Sequence, residues 1–180
     1  LGVSGTPDEP RLDVDAKARD LAVSGLSAKS LKAQGRLGWG GDAPLRFDVS
    51  GSELSLAGQS LTALALQVDG QWSAQQWQVR LQTAQGELTA QAHGGGEASA
   101  WSGTLDRLQV SSVNPRWASW NLRQAVDMQM GDSTRIAPFC IDNGAEARLC
   151  AQVDWPADGE AIASAQLNEL PWSSLSVLLS

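Results

Sequence analysis

Leu64-Ala-Leu-Gln-Val-Asp-Gly70, followed by Trp77-Gln-Val-Arg-Leu81, decides how the chain is read. In the first run Leu64, Leu66 and Val68 share one parity, with Gln67 and Asp69 on the other. In the second, Trp77, Val79 and Leu81 stand against Gln78 and Arg80. A strand turns successive side chains to opposite faces, so period two places apolar groups on one side of a sheet and polar groups on the other.

The pattern spreads in both directions. Upstream, Leu31, Ala33, Gly35, Leu37 and Trp39 oppose Lys32, Gln34 and Arg36, and Leu45, Phe47 and Val49 oppose Arg46 and Asp48. Downstream, Leu88, Ala90 and Ala92 oppose Glu87, Thr89 and Gln91, Val126, Met128 and Met130 oppose Asp127 and Gln129, and Leu149, Ala151, Val153 and Trp155 oppose Arg148, Gln152 and Asp154. Ala161, Ala163, Ala165 and Leu167 close the series. Turn formers separate the runs: Gly25, Gly40-Gly41-Asp42, Ser50-Gly51-Ser52, Gly58, Asp69-Gly70, Gly94-Gly95-Gly96, Asn143-Gly144 and Asp158-Gly159. Parallel crossovers need a dozen or more connecting residues, so this spacing predicts an all-β antiparallel meander. Leu21 to Gly25, Phe47 to Gly51, Leu54 to Gly58 and Leu66 to Gly70 all read apolar-x-apolar-x-Gly, with glycine expected to end each strand. Two short helices are expected, one near 114–120 and one near 171–179, the second opened by Pro171 at a first helical position. With no shift in composition along the chain, residues 1–180 read as a single all-β segment.

Composition narrows the function. The 42% hydrophobic content suffices for a sizeable buried or groove-lining surface, mean hydropathy is −0.20, and no stretch reaches the ~20 apolar residues that cross a bilayer. Leu1-Gly2-Val3-Ser4 carries no basic-then-apolar export signal, and the end stops within the apolar run Leu175 to Ser180. Both ends read as cuts within a longer chain, with any export signal or membrane anchor outside it. Net charge is −7 and lysine accounts for three of the 13 basic residues. Phosphate recognition needs clustered Arg and Lys, so nucleic acid is not an expected partner. The acidic excess is expected on a solvated outer face.

Catalytic patterns fail on counting. His93 is the sole histidine and sits beside Gly94-Gly95-Gly96 in an expected turn. There is no Gly-x-Ser-x-Gly, and the triple glycine leads to Glu97 and Ala98 without the lysine of a phosphate loop. The carboxylates are scattered on outward positions. The chain therefore reads as a non-enzyme, with no cofactor and no metal.

Two residue types carry more. Eight tryptophans accompany no tyrosine; Trp39, Trp77 and Trp155 share the parity of the aliphatics, and Trp101 that of Leu105, so these rings belong to the apolar side, as core or as groove lining. Cys140 and Cys150, with one histidine in the chain, are too few for a zinc site and read as a disulfide formed in an oxidising compartment, buried free thiols being the alternative. Cys140 lies between Phe139 and Ile141, and Cys150 between Leu149 and Ala151, so both point away from the apolar side. Asp142-Asn143-Gly144 supplies a reversal, and an odd loop of three to five residues sets the cysteines opposite each other, within bridging range. Closing so short a loop stabilises by ~3 kcal/mol in the chain-entropy view.

Gln67 to Gly70, Trp77 to Leu81, Gly86-Glu-Leu-Thr-Ala90, Trp101-Ser-Gly-Thr-Leu105 with Leu108, Pro138-Phe-Cys140 through Arg148-Leu-Cys150 to Trp155, and the closing Leu167-Asn-Glu-Leu-Pro-Trp-Ser-Ser-Leu175 together resemble the TamB family. This is the inner-membrane subunit of the bacterial translocation and assembly module, within the AsmA-like group. The resemblance is clearest over residues 20 to 175. It implies an internal segment of a long periplasmic rod anchored in the inner membrane, with a U-shaped sheet around a hydrophobic groove, the β-taco. It also implies phospholipid passage between the two membranes, a part in outer-membrane biogenesis, and partnership with the outer-membrane barrel TamA through other parts of the full-length protein. No catalytic residue comes with it.

On this reading the groove is lined by Leu31, Leu37, Trp39, Leu45, Phe47, Val49, Leu54, Leu56, Leu64, Leu66, Val68, Trp77, Val79, Leu81, Leu88, Trp101, Leu105, Val126, Met128, Met130, Leu149, Val153, Trp155 and Leu167. An apolar concave face shelters acyl chains at ~0.8 kcal/mol per buried methylene and needs no site-specific polar ligand. Alternation alone fits a closed sandwich core equally well. The competing functions are an assembly scaffold that captures client β-strands at its sheet edges and a Trp-rich carbohydrate-binding domain.

Overall fold

The computed structural model describes residues 2–6, 10–23, 26–38, 42–56, 59–97, 100–113, 119–144 and 147–168. Within them the period-two runs become strands β1 (Gly2–Gly5), β2 (Pro10–Val23), β3 (Leu26–Gly38), β4 (Pro44–Leu56), β5 (Gln59–Gln71), β6 (Ala74–Gln82), β7 (Gly86–Glu97), β8 (Ala100–Ser112), β9 (Trp120–Leu122), β10 (Val126–Met130), β11 (Thr134–Asp142), β12 (Arg148–Trp155) and β13 (Ile162–Asn168). They form one 13-stranded sheet in sequence order, each pair antiparallel. It is the predicted meander, curled about its apolar face. β9 and β10 share one slot between β8 and β11, β9 pairing at one end of these strands and β10 at the other.

The register follows the side chains. Phe47 opposes Gly35 on one side and Val68 on the other, and Val68 in turn opposes Trp77. A slip of one residue would exchange the two faces, so the apolar parity of every strand fixes its pairing to the next.

Several expectations are corrected. Trp120 begins strand β9 and continues no helix; residues 114–118 and 171–179 lie outside the described residues. Gly51 does not end a strand but lies inside β4, and Gly94-Gly95-Gly96 lies inside β7 together with His93. In each case a neighbour uses the missing side chain: Leu54 and Leu31 close over Gly51, and Trp101 lies over Gly94. The reversal expected at Asp69-Gly70 falls three residues later, at Trp72-Ser73, where Gln71 pairs with Ala74. Gly70 prepares it with φ of 128°, at a place where a Cβ would collide with the Ala74 carbonyl oxygen. The strand β2 also lies outside the runs named from sequence, although Leu12, Val14, Ala16 and Ala18 alternate there with charged residues.

The β11–β12 hairpin has the expected form. Asp142 pairs with Arg148 across a five-residue loop, Gly144 takes φ of 74°, and its amide donates to Oδ1 of Asp142 at 3.3 Å. Cys140 and Cys150 oppose each other with Cα atoms 4.0 Å apart, joined by a disulfide.

Candidate functional site

Following the register across the sheet collects the apolar side chains on one face. One row runs Val14, Gly35, Phe47, Val68, Trp77, Ala92, Leu105 and Val126. The next runs Ala16, Ala33, Val49, Leu66, Val79, Ala90 and Leu108. Beyond it lie Ala18, Leu31, Gly51, Leu64, Leu81, Leu88, Val110 and Trp120. Toward the other end, Leu37 and Leu45 share a row, as do Met128, Ile136 and Val153. Met130 opposes Trp101, Trp155 opposes Thr134, and Leu149 opposes Leu167. Trp39 lies outside the described residues, and Leu56 is placed only by its backbone pairing with Leu26.

Two irregularities in the first eight strands keep this face continuous, and a third lies in β11, where the register shifts between Ile136 and Phe139. Along β2 the inward parity changes from even at Ala18 to odd at Leu21, and along β4 from odd at Gly51 to even at Leu54. The change falls where Asp20 and Glu53 adopt left-handed backbone, φ 51° and 49°, a conformation uncommon for non-glycine residues. A Cβ on Gly51 would lie 3.1 Å from Leu54 and 3.3 Å from Leu31, so Leu54 returns to the apolar face after the switch. Lys29 is caught on the outer side, its Nζ 2.6 Å from Oε1 of Glu53. That hydrogen bond, the charge of Glu53 and then the charge of Asp20 hold its proton above the ordinary lysine range. The second irregularity is a bulge in β8: Ala92 opposes Leu105 while Gln91 opposes Arg107, leaving Asp106 as the extra residue. Leu105 and Leu108 thereby both face inward, and Asp106 receives Nδ1 of His93 at 2.7 Å outside.

The face is neither sealed nor bare. Leu31, Leu37, Phe47, Val49, Leu64, Leu66, Trp77, Val79, Leu81, Leu88, Trp101, Leu105, Met128, Leu149 and Val153 are all half-buried. Among the described residues Ala28, Leu45, Leu54, Val68, Val126 and Ala147 are the buried apolar ones, and no large side chain is fully buried. A second packed sheet would bury such residues outright. Trp155, Leu167 and Met130 are exposed.

Across β6, β7, β8 and β10 the face deepens into a cavity of about 540 Å³. Its walls are Trp72, Trp77, Val79, Trp101, Leu105, Met128 and Met130, and its floor is Ala90, Ala92 and Gly96 of β7; among the described residues none in the lining carries a charge. The floor is low because the inward residues of β7 shrink along the strand from Leu88 through Ala90 and Ala92 to Gly94 and Gly96. Two of the rings are tied down. Trp72 reaches across the end of β4 to donate Nε1–H to the Gly38 carbonyl at 2.7 Å, and Trp77 donates Nε1–H to Oε1 of Gln75 at 3.0 Å. Gln75 is the buried polar residue of the region, 4% exposed, and its amide nitrogen donates to the Trp72 carbonyl at 3.1 Å. Trp101 differs. A Cβ built on Gly94 would meet its Cζ2 at 2.6 Å and one on Gly103 its Cη2 at 2.6 Å, so the indole rests on a glycine pavement. Among the described residues its buried Nε1 has no hydrogen-bond partner, a deficit of about 1–3 kcal/mol for a buried donor.

The opposite face is polar. Arg36 and Arg46 stand directly opposed, each beside a carboxylate: Arg36 Nε is 3.0 Å from Asp13, and Arg46 Nε is 3.7 Å from Asp69. A hollow of about 500 Å³ has Lys32, Asp48 and Arg80 in its lining, together with Gln34, Gln67 and Gln78 and a share of apolar residues. The Cys140–Cys150 bridge also points this way. Among the described residues no three potential ligands converge on a metal position, and no helix is long and apolar enough to cross a membrane.

Trp72 and Gln75 at the cavity, and Val14, Val110, Trp120 and Ile136 on the wider face, are among the site residues that sequence reading missed. Gln75 shares the parity of Trp77, a polar residue on an apolar parity, and that mismatch is the signal that could have found it.

Over residues 1–180 the chain matches the family model described as TamB, N-terminal domain. No curated protein and no solved structure matches it.

Proposed function

Because the chain belongs to the TamB family, we propose that its apolar face is a stretch of a periplasmic groove that carries phospholipid acyl chains between inner and outer membrane and so serves outer-membrane assembly. The full-length protein is anchored in the inner membrane, and TamA meets it through other parts of the chain. The segment performs no catalysis: it supplies a surface. One observation carries the reading, namely a continuous, half-buried apolar face that contains a 540 Å³ cavity whose described lining residues are all uncharged. Each methylene that moves from water onto such a surface gains up to ~0.8 kcal/mol. A sliding guest requires this to be spread evenly, with no fixed polar partner, and Gln75 spends its amide on Trp72 and Trp77.

A second reading has its own support. Among the described residues β13 pairs with β12 alone, and every residue of β13 is exposed; an exposed strand of this kind is the element on which capture of a client strand would act. The carbohydrate reading is disfavoured by the placement of Trp77 and Trp101 on the apolar face, away from the polar surface that a sugar platform requires.

Photo-crosslinking side chains at Phe47, Leu66 and Val79 test the proposal, with Arg46 and Arg80 as outward controls. Phospholipid labelling at the first three and none at the controls is expected. Equal labelling on both faces, or labelling by peptide alone, would overturn it.

A further inference from the structure

Three indoles border the cavity, and their tethering differs. Trp72 is held by the Gly38 carbonyl and Trp77 by Gln75. Trp101 is placed by packing, its Cζ2 and Cη2 against Gly94 and Gly103, and among the described residues its buried Nε1–H has no hydrogen-bond partner. A ring lying on two residues without side chains has nothing beneath it to interlock with. Moving it gives the indole N–H access to water, which offsets part of the packing that the ring gives up. The other two rings would forfeit a hydrogen bond on moving.

We propose that Trp101 is the movable wall of this cavity: it lies on the glycine floor when the trough is empty and lifts from it when an acyl chain enters, while Trp72 and Trp77 stay fixed. This rests on the acyl-chain reading above and adds to it a residue that adapts the width of the passage. Trp101 can then rise to admit a kinked or second chain while the backbone pairing of β7 and β8 holds.

The test follows hydrogen exchange at the indole nitrogens of the chain by 15N NMR, each signal assigned by a single Trp→Phe variant. Palmitate is the probe, used below its aggregation limit. Without palmitate the Trp72, Trp77 and Trp101 indole protons are all slow to exchange. With it, Trp101 is expected to exchange at least about tenfold faster, an opening equilibrium shifted by one decade, while Trp72 and Trp77 keep their protection. Association kinetics give an independent readout: Trp101→Ala speeds palmitate entry several-fold, and Trp77→Ala does not. If palmitate binds and shifts the trough resonances while Trp101 stays as protected as before, the movable wall is wrong and the groove stands. If palmitate perturbs no trough residue, the groove reading falls and this inference falls with it.

Discussion

Strands β3–β5 and strands β6–β10 present the same parity to the same face and do different things with it. In β3–β5 the face fills itself: Ala28, Leu45, Leu54 and Val68 are buried there, and the Phe47 ring covers Gly35, where a Cβ would lie 2.5 Å from its Cδ2. In β6–β10 the large residues stand at the rim and the small ones of β7 lie at the centre, leaving the cavity between Trp77, Trp101 and Met128. Parity decides which face is apolar. The sizes of residues along one row decide whether that face is packed or hollow.

This contrast can be broken or sharpened by substitution. The largest effect is expected in the packed part: Leu54→Ala should cost about 3 kcal/mol, because a buried leucine vacates space that its neighbours cannot fill. In the hollow part Val79→Ala should cost about 1 kcal/mol, since Val79 already borders open space. Chemical denaturation of the two variants measures the difference; equal costs would mean the two parts are packed alike. Next comes Gln75→Leu, which removes the acceptor of Trp77 and should cost about 1.5 kcal/mol while increasing the mobility of the Trp77 ring, seen as faster indole exchange. The smallest effect concerns occupancy. Ala92→Leu raises the cavity floor and should lower acyl labelling at Val79 by about fourfold, the equivalent of one excluded methylene at ~0.8 kcal/mol, with stability unchanged or improved. Unaltered labelling would place the guest elsewhere on the face.

Much of this is legible in the residues. The alternation of Leu64 to Val68 and Trp77 to Leu81 gives the strands and the apolar side, and the parity of Cys140 and Cys150 gives an outward pair facing each other across a short loop. The rest escapes for physical reasons. Glycine in sequence reads as strand punctuation, yet Gly51, Gly94 and Gly103 lie within strands, where they make room for Leu54 and Trp101. A hydropathy pattern records what a residue is, not whose side chain occupies its space. The parity switch at Asp20 and Glu53 needs two left-handed residues that no local rule demands of Asp or Glu. It becomes intelligible once Lys29 is seen between them and Leu54 is seen returning to Gly51. The bulge at Asp106 leaves a trace in Leu105-Asp-Arg-Leu108, two polar residues in succession between inward leucines, but the same trace fits a strand end. Whether the apolar side is open or closed depends on a second layer, and alternation carries no information about what packs above it.

The most direct test of the account runs along one strand. Residues 76 to 81 of β6 alternate Gln76, Trp77, Gln78, Val79, Arg80 and Leu81 between the two faces. A photoreactive side chain placed at each in turn, in the presence of labelled phospholipid, should give labelling of period two: strong at Trp77, Val79 and Leu81, and at background for Gln76, Gln78 and Arg80. Labelling without that period, or strongest at the polar positions, would contradict the claim that acyl chains travel on the apolar face.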